Sequence, residues 1–216
     1  MPLLTGAAAV PVQALLNLWS ERGGAAFDLL AHGHTVDWST IDHAGDVWTD
    51  EGSIRSPVAD QLGLAEPVAT LRFLFVRARP GGAGELPPTR AIALQLAATG
   101  ATEYEPRKGT VALPLLRHGV ASVIIMAPWY GTRAPTSQRG AYVETVADYL
   151  RQSLTIITEG AALLRWLGDG FRVDDAEVYC EGRSLGRQQH EEGTVPIRVA
   201  ATGFSWGDQR ALISLD

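Results

Sequence analysis

The residues with the clearest chemical potential are Gly203-Phe204-Ser205-Trp206-Gly207, which spell G-x-S-x-G. They follow a short apolar run that predicts a strand over Ile197–Thr202. A strand that ends on glycine, turns sharply through serine and enters a helix on glycine is a nucleophile elbow, because small residues allow the strained turn that exposes the serine hydroxyl. The chemistry of such a turn is attack by the Ser205 oxygen on a carbonyl carbon.

Attack by a serine needs two hydrogen-bond donors aimed at the oxygen that becomes negative. The backbone N–H of Trp206, the residue after the nucleophile, is one expected donor. The other is expected from the loop that follows the apolar run Ala91–Ala97, where Thr99 and Gly100 are the candidates. These residues form the predicted oxyanion hole.

Two aromatic residues, Trp129 and Tyr130, follow another apolar run, Val120–Met126. Ligands bind at the carboxyl ends of parallel strands, so both side chains are candidates to line a substrate pocket. Packing of the loop against the elbow is an equally good interpretation of the same residues.

A serine hydroxyl also needs a base to activate it and an acid to orient that base. In this type of fold the acid and then a histidine follow the serine in the chain. Here only Asp208 and Asp216 follow Ser205, and the histidines are all upstream, at positions 32, 34, 43, 118 and 190. Two interpretations remain: a serine hydrolase whose acid and histidine are not in these residues, or a catalytically inactive fragment or pseudoenzyme.

The elements that must position these residues alternate between strand and helix. The predicted strands are a pair in Trp48–Pro57 around Asp50-Glu51-Gly52, one over Leu71–Arg77, and the two apolar runs Ala91–Ala97 and Val120–Met126. The predicted helices are a short one over Pro11–Arg22, one over Pro106–His118 and the strongest one within Thr136–Leu167. Buried strands that alternate with helices indicate an α/β fold with a mostly parallel sheet, helices on both faces and antiparallel strands at its N-terminal edge.

Two polar stretches interrupt this pattern. Residues 25–46 hold His32, His34, Asp37, Asp42, His43 and Asp46, whose spacing matches no defensible metal site, so we expect a polar, poorly ordered connection and no metal. Residues 169–194 are expected to be a surface insertion, with Val178 and Tyr179 as the only sign of a further element. No cofactor is expected.

Composition narrows the class of protein. The formal net charge of −6 over 216 residues gives no reason to expect a nucleic acid partner. The single cysteine, Cys180, excludes an internal disulfide and is expected to be an inert buried thiol. No apolar run is long enough to span a bilayer, and Met1–Leu18 lacks the basic residues of a leader, so the compartment stays open with an intracellular location favoured. The oligomeric state is unknown.

An ordered set of motifs resembles the alpha/beta hydrolase domain-containing protein 18 family over about residues 50–207. The matching stretches are Gly52-Ser53-Ile54-Arg55-Ser56-Pro57, Leu94-Gln95-Leu96-Ala97-Ala98-Thr99-Gly100, Ala112-Leu113-Pro114-Leu115-Leu116, Ala127-Pro128-Trp129-Tyr130-Gly131-Thr132-Arg133-Ala134-Pro135, Val146-Ala147-Asp148, Glu159-Gly160-Ala161-Ala162-Leu163-Leu164-Arg165-Trp166-Leu167 and Thr202-Gly203-Phe204-Ser205-Trp206-Gly207. The resemblance implies the N-terminal half of an α/β-hydrolase fold, Ser205 as nucleophile, an oxyanion loop at Thr99-Gly100, and a small-molecule ester or lipid as substrate.

The chain departs from the family pattern in three ways. Ala101-Thr102-Glu103 replace the family's Asp-His-His, Asp208 replaces a glycine after the elbow, and the residues after Gly207 do not follow the pattern. We therefore expect a domain organisation with an N-terminal helix and connection over 1–46 and an incomplete α/β-hydrolase domain over 47–216, and a gene model truncated after the elbow.

Arg133, in the most specific of these motifs, has two possible roles. It could bind an anionic group of a substrate, but we favour a structural ion pair with Asp148 or Glu159 on the following helix.

Overall fold

The structure, a computed structural model, describes residues 36–43, 45–79, 86–140, 142–174, 177–180, 183–187 and 198–202. The helix predicted over Pro11–Arg22, the elbow at Gly203–Gly207, His32, His34 and His190 therefore lie outside the described residues.

The described part forms a six-stranded sheet, a smaller three-stranded sheet and two main helical segments. The strands are β1 (Asp37–Asp42), β2 (Val47–Arg55), β3 (Thr70–Ala78), β4 (Ala91–Gln95), β5 (Val120–Ile125), β6 (Phe171–Asp174), β7 (Glu177–Cys180), β8 (Arg183–Arg187) and β9 (Arg198–Thr202). The segment called α1 joins an α turn (Glu105–Arg107), a π turn (Lys108–Ala112) and an α turn (Leu113–Leu116), a 3₁₀ turn spans Gly131–Arg133, and α2 is Val146–Gly170.

The strands of the large sheet are ordered β1-β2-β3-β5-β4-β9. β1, β2 and β3 pair antiparallel, and β3 is also antiparallel to β5, whereas β5, β4 and β9 are mutually parallel. This arrangement confirms the predicted α/β fold, with its parallel strands and its antiparallel N-terminal edge.

Alternation along β3 explains why helices cover both faces of the sheet. Phe73 and Phe75 point to one face, where α2 packs with the apolar side chains Ala162, Leu163, Trp166 and Leu167. Leu74 and Val76 point to the other face, where Ala112 and Leu116 of α1 pack. Because neighbouring strands are buried on both faces, their sequences are continuously apolar.

The predicted strand pair around Asp50-Glu51-Gly52 is wrong, because β2 runs unbroken through these residues and pairs with β3 along its whole length. Gly52 serves packing here: it lies opposite Phe73, and a Cβ at this position would collide with the Phe73 ring. Asp50 is fully buried and accepts a hydrogen bond from Arg77 at 2.6 Å. Two residues with the signature of a turn are therefore interior residues of a strand.

Both polar stretches contain strands, of which the sequence indicated only a short element at Val178 and Tyr179, now part of β7. Residues 37–42 are the edge strand β1, which Trp38 anchors by a perpendicular ring contact with Phe73 at 5.5 Å. Most of its other side chains are exposed, as is usual for an edge strand. In the second stretch, β6, β7 and β8 pair into an antiparallel three-stranded sheet. The polar sequence of this stretch lacks the apolar pattern that indicates strands.

The long helix, predicted within Thr136–Leu167, begins at Val146 and extends slightly further, to Gly170. The Thr145 hydroxyl accepts a hydrogen bond from the Asp148 backbone N–H at 3.0 Å, so these two residues cap the helix. Thr145 and Asp148 thus have the T-x-x-D spacing of a capping box.

We predict that Gly52→Ala lowers the free energy of unfolding by about 1–3 kcal/mol, because the new methyl group overpacks the strand against Phe73. Urea denaturation measures this. The matched control is Gly109→Ala, since a Cβ at Gly109 meets nothing within 4 Å and alanine favours helix. Adding Phe73→Leu to Gly52→Ala should recover part of the loss. Equal stability of wild type and Gly52→Ala would contradict this packing argument.

Candidate active site

Three parallel strands end at the same level of the sheet. Gln95, the last residue of β4, is opposite Ile124 of β5 on one side and Thr202 of β9 on the other. The Leu96 backbone N–H continues this pairing with a 2.9 Å hydrogen bond to the Thr202 carbonyl. The loops after β4 and β5 therefore leave the sheet at the edge where β9 ends.

The loop after β4 contains the predicted oxyanion donors. A hydrogen bond from the Ala101 N–H to the Ala98 carbonyl, at 3.2 Å, closes a tight turn around Thr99 and Gly100. Gly100 has φ +78°, a conformation that strains residues with a Cβ, while Thr99 is exposed. Both residues therefore lie in an accessible turn at the carboxyl edge of the sheet, although their role in catalysis stays a prediction.

The loop after β5 is held in an unusual backbone conformation. Trp129 has φ +65°, which is a genuine outlier for a bulky residue. The Gln152 side chain donates a 2.7 Å hydrogen bond to the Pro128 carbonyl, and Gln138 donates one of 3.0 Å to the Trp129 carbonyl. Strained backbone of this kind is concentrated at functional sites, where surrounding contacts maintain it.

Both aromatic residues of this loop are buried by packing. Trp129, 8 % exposed, joins a cluster with Val58, Leu62 and Val68 in the segment before β3. Tyr130 packs against Ala97, which belongs to the loop after β4. These contacts favour the packing interpretation, and the lining of a substrate pocket by Trp129 and Tyr130 stays a prediction.

The two loops also touch through their backbones. Gly131 has φ +51°, and a Cβ there would collide with the Thr102 carbonyl and approach the Met126 sulfur at 2.8 Å. Only glycine therefore allows the loop after β4 and the loop after β5 to approach this closely.

Arg133 forms the predicted structural ion pair, and its partner is Glu159. The two ends of its guanidinium donate to the two carboxylate oxygens at 2.8 and 2.7 Å, and both side chains are fully buried. Arg133 also donates to the carbonyls of Met126 and Val68. Asp148, the other candidate, pairs with Arg151 instead. Since Arg133 is fully buried, it is a positioning residue and not a direct contact for substrate.

A second arginine, Arg107 of α1, lies at the same edge of the sheet. Its Nη1 donates to the carbonyls of Gln95 and Ile125, the last residues of β4 and β5, at 3.3 and 2.8 Å. Burial lowers the pKa of Arg107 to about 10, and Tyr104 partly opposes this shift. Arg107 is therefore still protonated at neutral pH and carries a positive charge to the strand ends.

The described histidines do not supply a base for this edge. His43 Nε2 lies 2.9 Å from the Asp50 carboxylate and stacks on Trp48, but β2 is four strand spacings from β9, or about 19 Å. His118 precedes β5 and so lies at the opposite, amino end of the parallel strands. Of the residues first considered as metal ligands, those that are described do not gather into a group of three or more His, Cys, Asp or Glu side chains.

The sequence did not point to Arg107, Tyr104, Gln138 or Gln152. An arginine at the start of a helix has the signature of a solvated charge, and its contacts here are backbone carbonyls, which carry no residue-type signal. The strained Trp129 was likewise invisible, because only backbone geometry reveals it.

We predict that Glu159→Gln lowers the free energy of unfolding by about 3–5 kcal/mol, because it leaves the Arg133 charge buried without a counter-charge. Chemical denaturation of Glu159→Gln, Arg133→Met and the double variant would measure the coupling. The double variant should be more stable than the sum of the single effects implies. The control is Arg55→Met in the exposed pair Arg55–Asp60, which should change stability by less than about 1 kcal/mol. Additive effects at Arg133 and Glu159 would refute the pairing.

Solved structures share this architecture at low identity. A cold-adapted esterase from an Arctic intertidal metagenomic library has 14 % identity and a TM-score of 0.50, and the match covers 83 % of this chain and 59 % of the esterase. A protein of Bacteroides fragilis assigned as an acetyl xylan esterase has 13 % identity and a TM-score of 0.50, with 85 % and 45 % of the two chains covered. The chain thus spans about half the length of these structures, and the likeness shows the fold alone.

Within the described residues, no helix has the length and apolar character that a membrane crossing requires.

A family model described as alpha/beta hydrolase domain containing 18 matches residues 15–172. The match begins upstream of the motifs that carry the resemblance and ends before the G-x-S-x-G segment. It covers well over half of the chain, and the chain therefore belongs to the alpha/beta hydrolase domain containing 18 family.

Proposed function

We propose that this protein hydrolyses an ester or other acyl compound, with Ser205 as the nucleophile. The observation that carries the proposal is the alignment of three strand ends, with Thr202 paired to Gln95 at the level where the loop of Thr99 and Gly100 begins. Ser205 is three residues beyond Thr202 in the chain, so a short turn suffices to bring its hydroxyl to this edge.

In the proposed reaction the Ser205 oxygen attacks the carbonyl carbon of the ester, and the carbonyl oxygen becomes an oxyanion. The backbone N–H of Trp206 and an N–H from the turn of Thr99 and Gly100 stabilise that oxyanion. The Ser205 proton passes to the leaving alcohol oxygen as its C–O bond breaks, and water then hydrolyses the acylated serine to release a carboxylic acid and restore the Ser205 hydroxyl. The acid and histidine that activate Ser205 are not assigned to any residue here.

The substrate we propose is a small-molecule ester or a lipid. The solved structures of similar fold include an esterase and an assigned acetyl xylan esterase, which agrees with ester chemistry in this fold. Trp129 and Tyr130 are proposed to shape the pocket wall.

The alternative is a catalytically inactive protein, either a fragment or a pseudoenzyme. Of the described histidines, His43 pairs with the buried Asp50 and His118 lies at the amino end of the strands, which favours this alternative. The labelling experiment below decides between hydrolysis and inactivity.

We predict that a fluorophosphonate probe labels Ser205 of the full chain and that Ser205→Ala abolishes labelling. A matched control is Ser39→Ala, an exposed serine on the edge strand β1, which should label like wild type. Mass spectrometry of the labelled peptide identifies the site. A folded wild-type protein that resists the probe, or label that persists in Ser205→Ala, would reject hydrolysis by Ser205.

A second prediction concerns the oxyanion donors. Gly100→Ala should lower kcat for an activated ester by about 10²–10³, because the residue has φ +78° and a Cβ shifts the turn that presents the N–H. Thr99→Ala keeps its backbone N–H and should leave kcat within a few-fold of wild type. Steady-state kinetics measures both variants, and circular dichroism checks that they are folded. Loss of activity in Thr99→Ala with normal activity in Gly100→Ala would exclude the backbone role.

A further inference from the structure

The guanidinium of Arg107 uses only part of its hydrogen-bonding capacity. Its Nη1 donates to the carbonyls of Gln95 and Ile125. Its Nε and Nη2 are buried and have no hydrogen-bond partner among the described residues. Nε and Nη2 lie on one edge of the planar group, and this edge presents two parallel N–H donors. Two parallel donors match two oxygens of a carboxylate or phosphate group.

A second donor is available beside Arg107. The Tyr104 hydroxyl is buried and likewise lacks a partner within the described part of the chain. Burial raises the pKa of Tyr104 well above its usual range, and Glu51 adds to this while Arg107, Arg133 and Arg72 oppose it. The hydroxyl therefore keeps its proton at neutral pH and remains a donor.

A further arginine, Arg72 of β3, also acts electrostatically on Tyr104. Its Nε is also buried without a partner in the described residues, while its Nη1 is 3.8 Å from Glu51. The Arg72 side chain is 37 % exposed. Glu51 is the acidic group here, and it neutralises only one of the two arginines.

The positive charges of the two other deeply buried arginines are each paired with a carboxylate. Arg77 donates to Asp50 at 2.6 Å, and Arg133 forms the bidentate pair with Glu159. Among the described residues, Arg107 has no acidic partner. A buried cation without a counter-charge is costly, and a bound anion would remove that cost.

We propose that Arg107 and Tyr104 form a binding site for a small oxyanion, a carboxylate or phosphate group, at the carboxyl ends of β4 and β5. The Nε and Nη2 of Arg107 bind two oxygens of the anion, and the Tyr104 hydroxyl donates to the same group. The site lies on the α1 face of the sheet and does not depend on the proposed role of Ser205.

Isothermal titration calorimetry of the full chain with inorganic phosphate and with acetate, in a chloride buffer, tests this site. We expect saturable binding of one or both anions. Stronger binding of phosphate identifies a tetrahedral group as the ligand, and stronger binding of acetate identifies a carboxylate. Arg107→Lys keeps the charge but removes the paired donors, so affinity should fall about tenfold or more. Tyr104→Phe removes one neutral donor and should weaken binding about threefold to tenfold.

The control is Arg117→Met, an exposed arginine in the turn after α1, which should bind the anion within twofold of wild type. Equal affinity in Arg107→Lys and wild type would overturn the site, as would an equal loss in Arg117→Met or a lack of saturable binding to either anion. If Arg107→Lys does not fold, Tyr104→Phe decides: unchanged affinity in that variant rejects the proposal. The result is independent of fluorophosphonate labelling, so failure of one proposal leaves the other open to its own test.

Discussion

The buried ion pair of Arg133 and Glu159 is the constraint on which the candidate active site depends. Arg133 contacts Glu159 on α2, the Met126 carbonyl at the end of β5 and the Val68 carbonyl before β3. Loss of Glu159 would leave an unpaired interior charge, which costs several kcal/mol. The contacts of Arg133 therefore favour the observed arrangement of the helix, the sheet edge and the segment before β3. The strained backbone at Trp129 lies within this fixed frame.

The parts of the fold that the sequence predicted are those where burial alone determines the residue types. β4 and β5 are covered on both faces, so their continuous apolar runs predicted strands. The regular spacing of apolar residues in α2 likewise predicted a helix. The parts it missed depend on partners distant in the chain. The residue types of Asp50 and Gly52 indicate a turn. In the structure Asp50 is buried because it pairs with Arg77, 27 positions later, and Gly52 is covered by the Phe73 ring. No local pattern encodes such pairings.

The same distinction applies to the site. Parallel strands align their carboxyl ends, so the positions of Thr99, Gly100, Trp129 and Tyr130 at one edge followed from the strand assignments. The structural role favoured for Arg133 was also correct, although the sequence left its partner open between Asp148 and Glu159. The role of Arg107 was not predicted, since it binds the carbonyls of Gln95 and Ile125, and any residue presents a carbonyl. Sequence patterns reveal contacts between side chains more readily than contacts with backbone.

Arg107 and Arg133 meet the same edge of the sheet but affect it in opposite ways. Arg133 is neutralised by Glu159, so it supplies rigidity and little net charge. Arg107 binds only carbonyl dipoles, so its charge is uncompensated among the described residues. A positive charge of this kind raises the electrostatic potential at the strand ends in a protein whose formal net charge is −6. Because low-dielectric surroundings strengthen such a field, this charge supports the proposed binding of an anion at the carboxyl edge of a chain that is acidic as a whole.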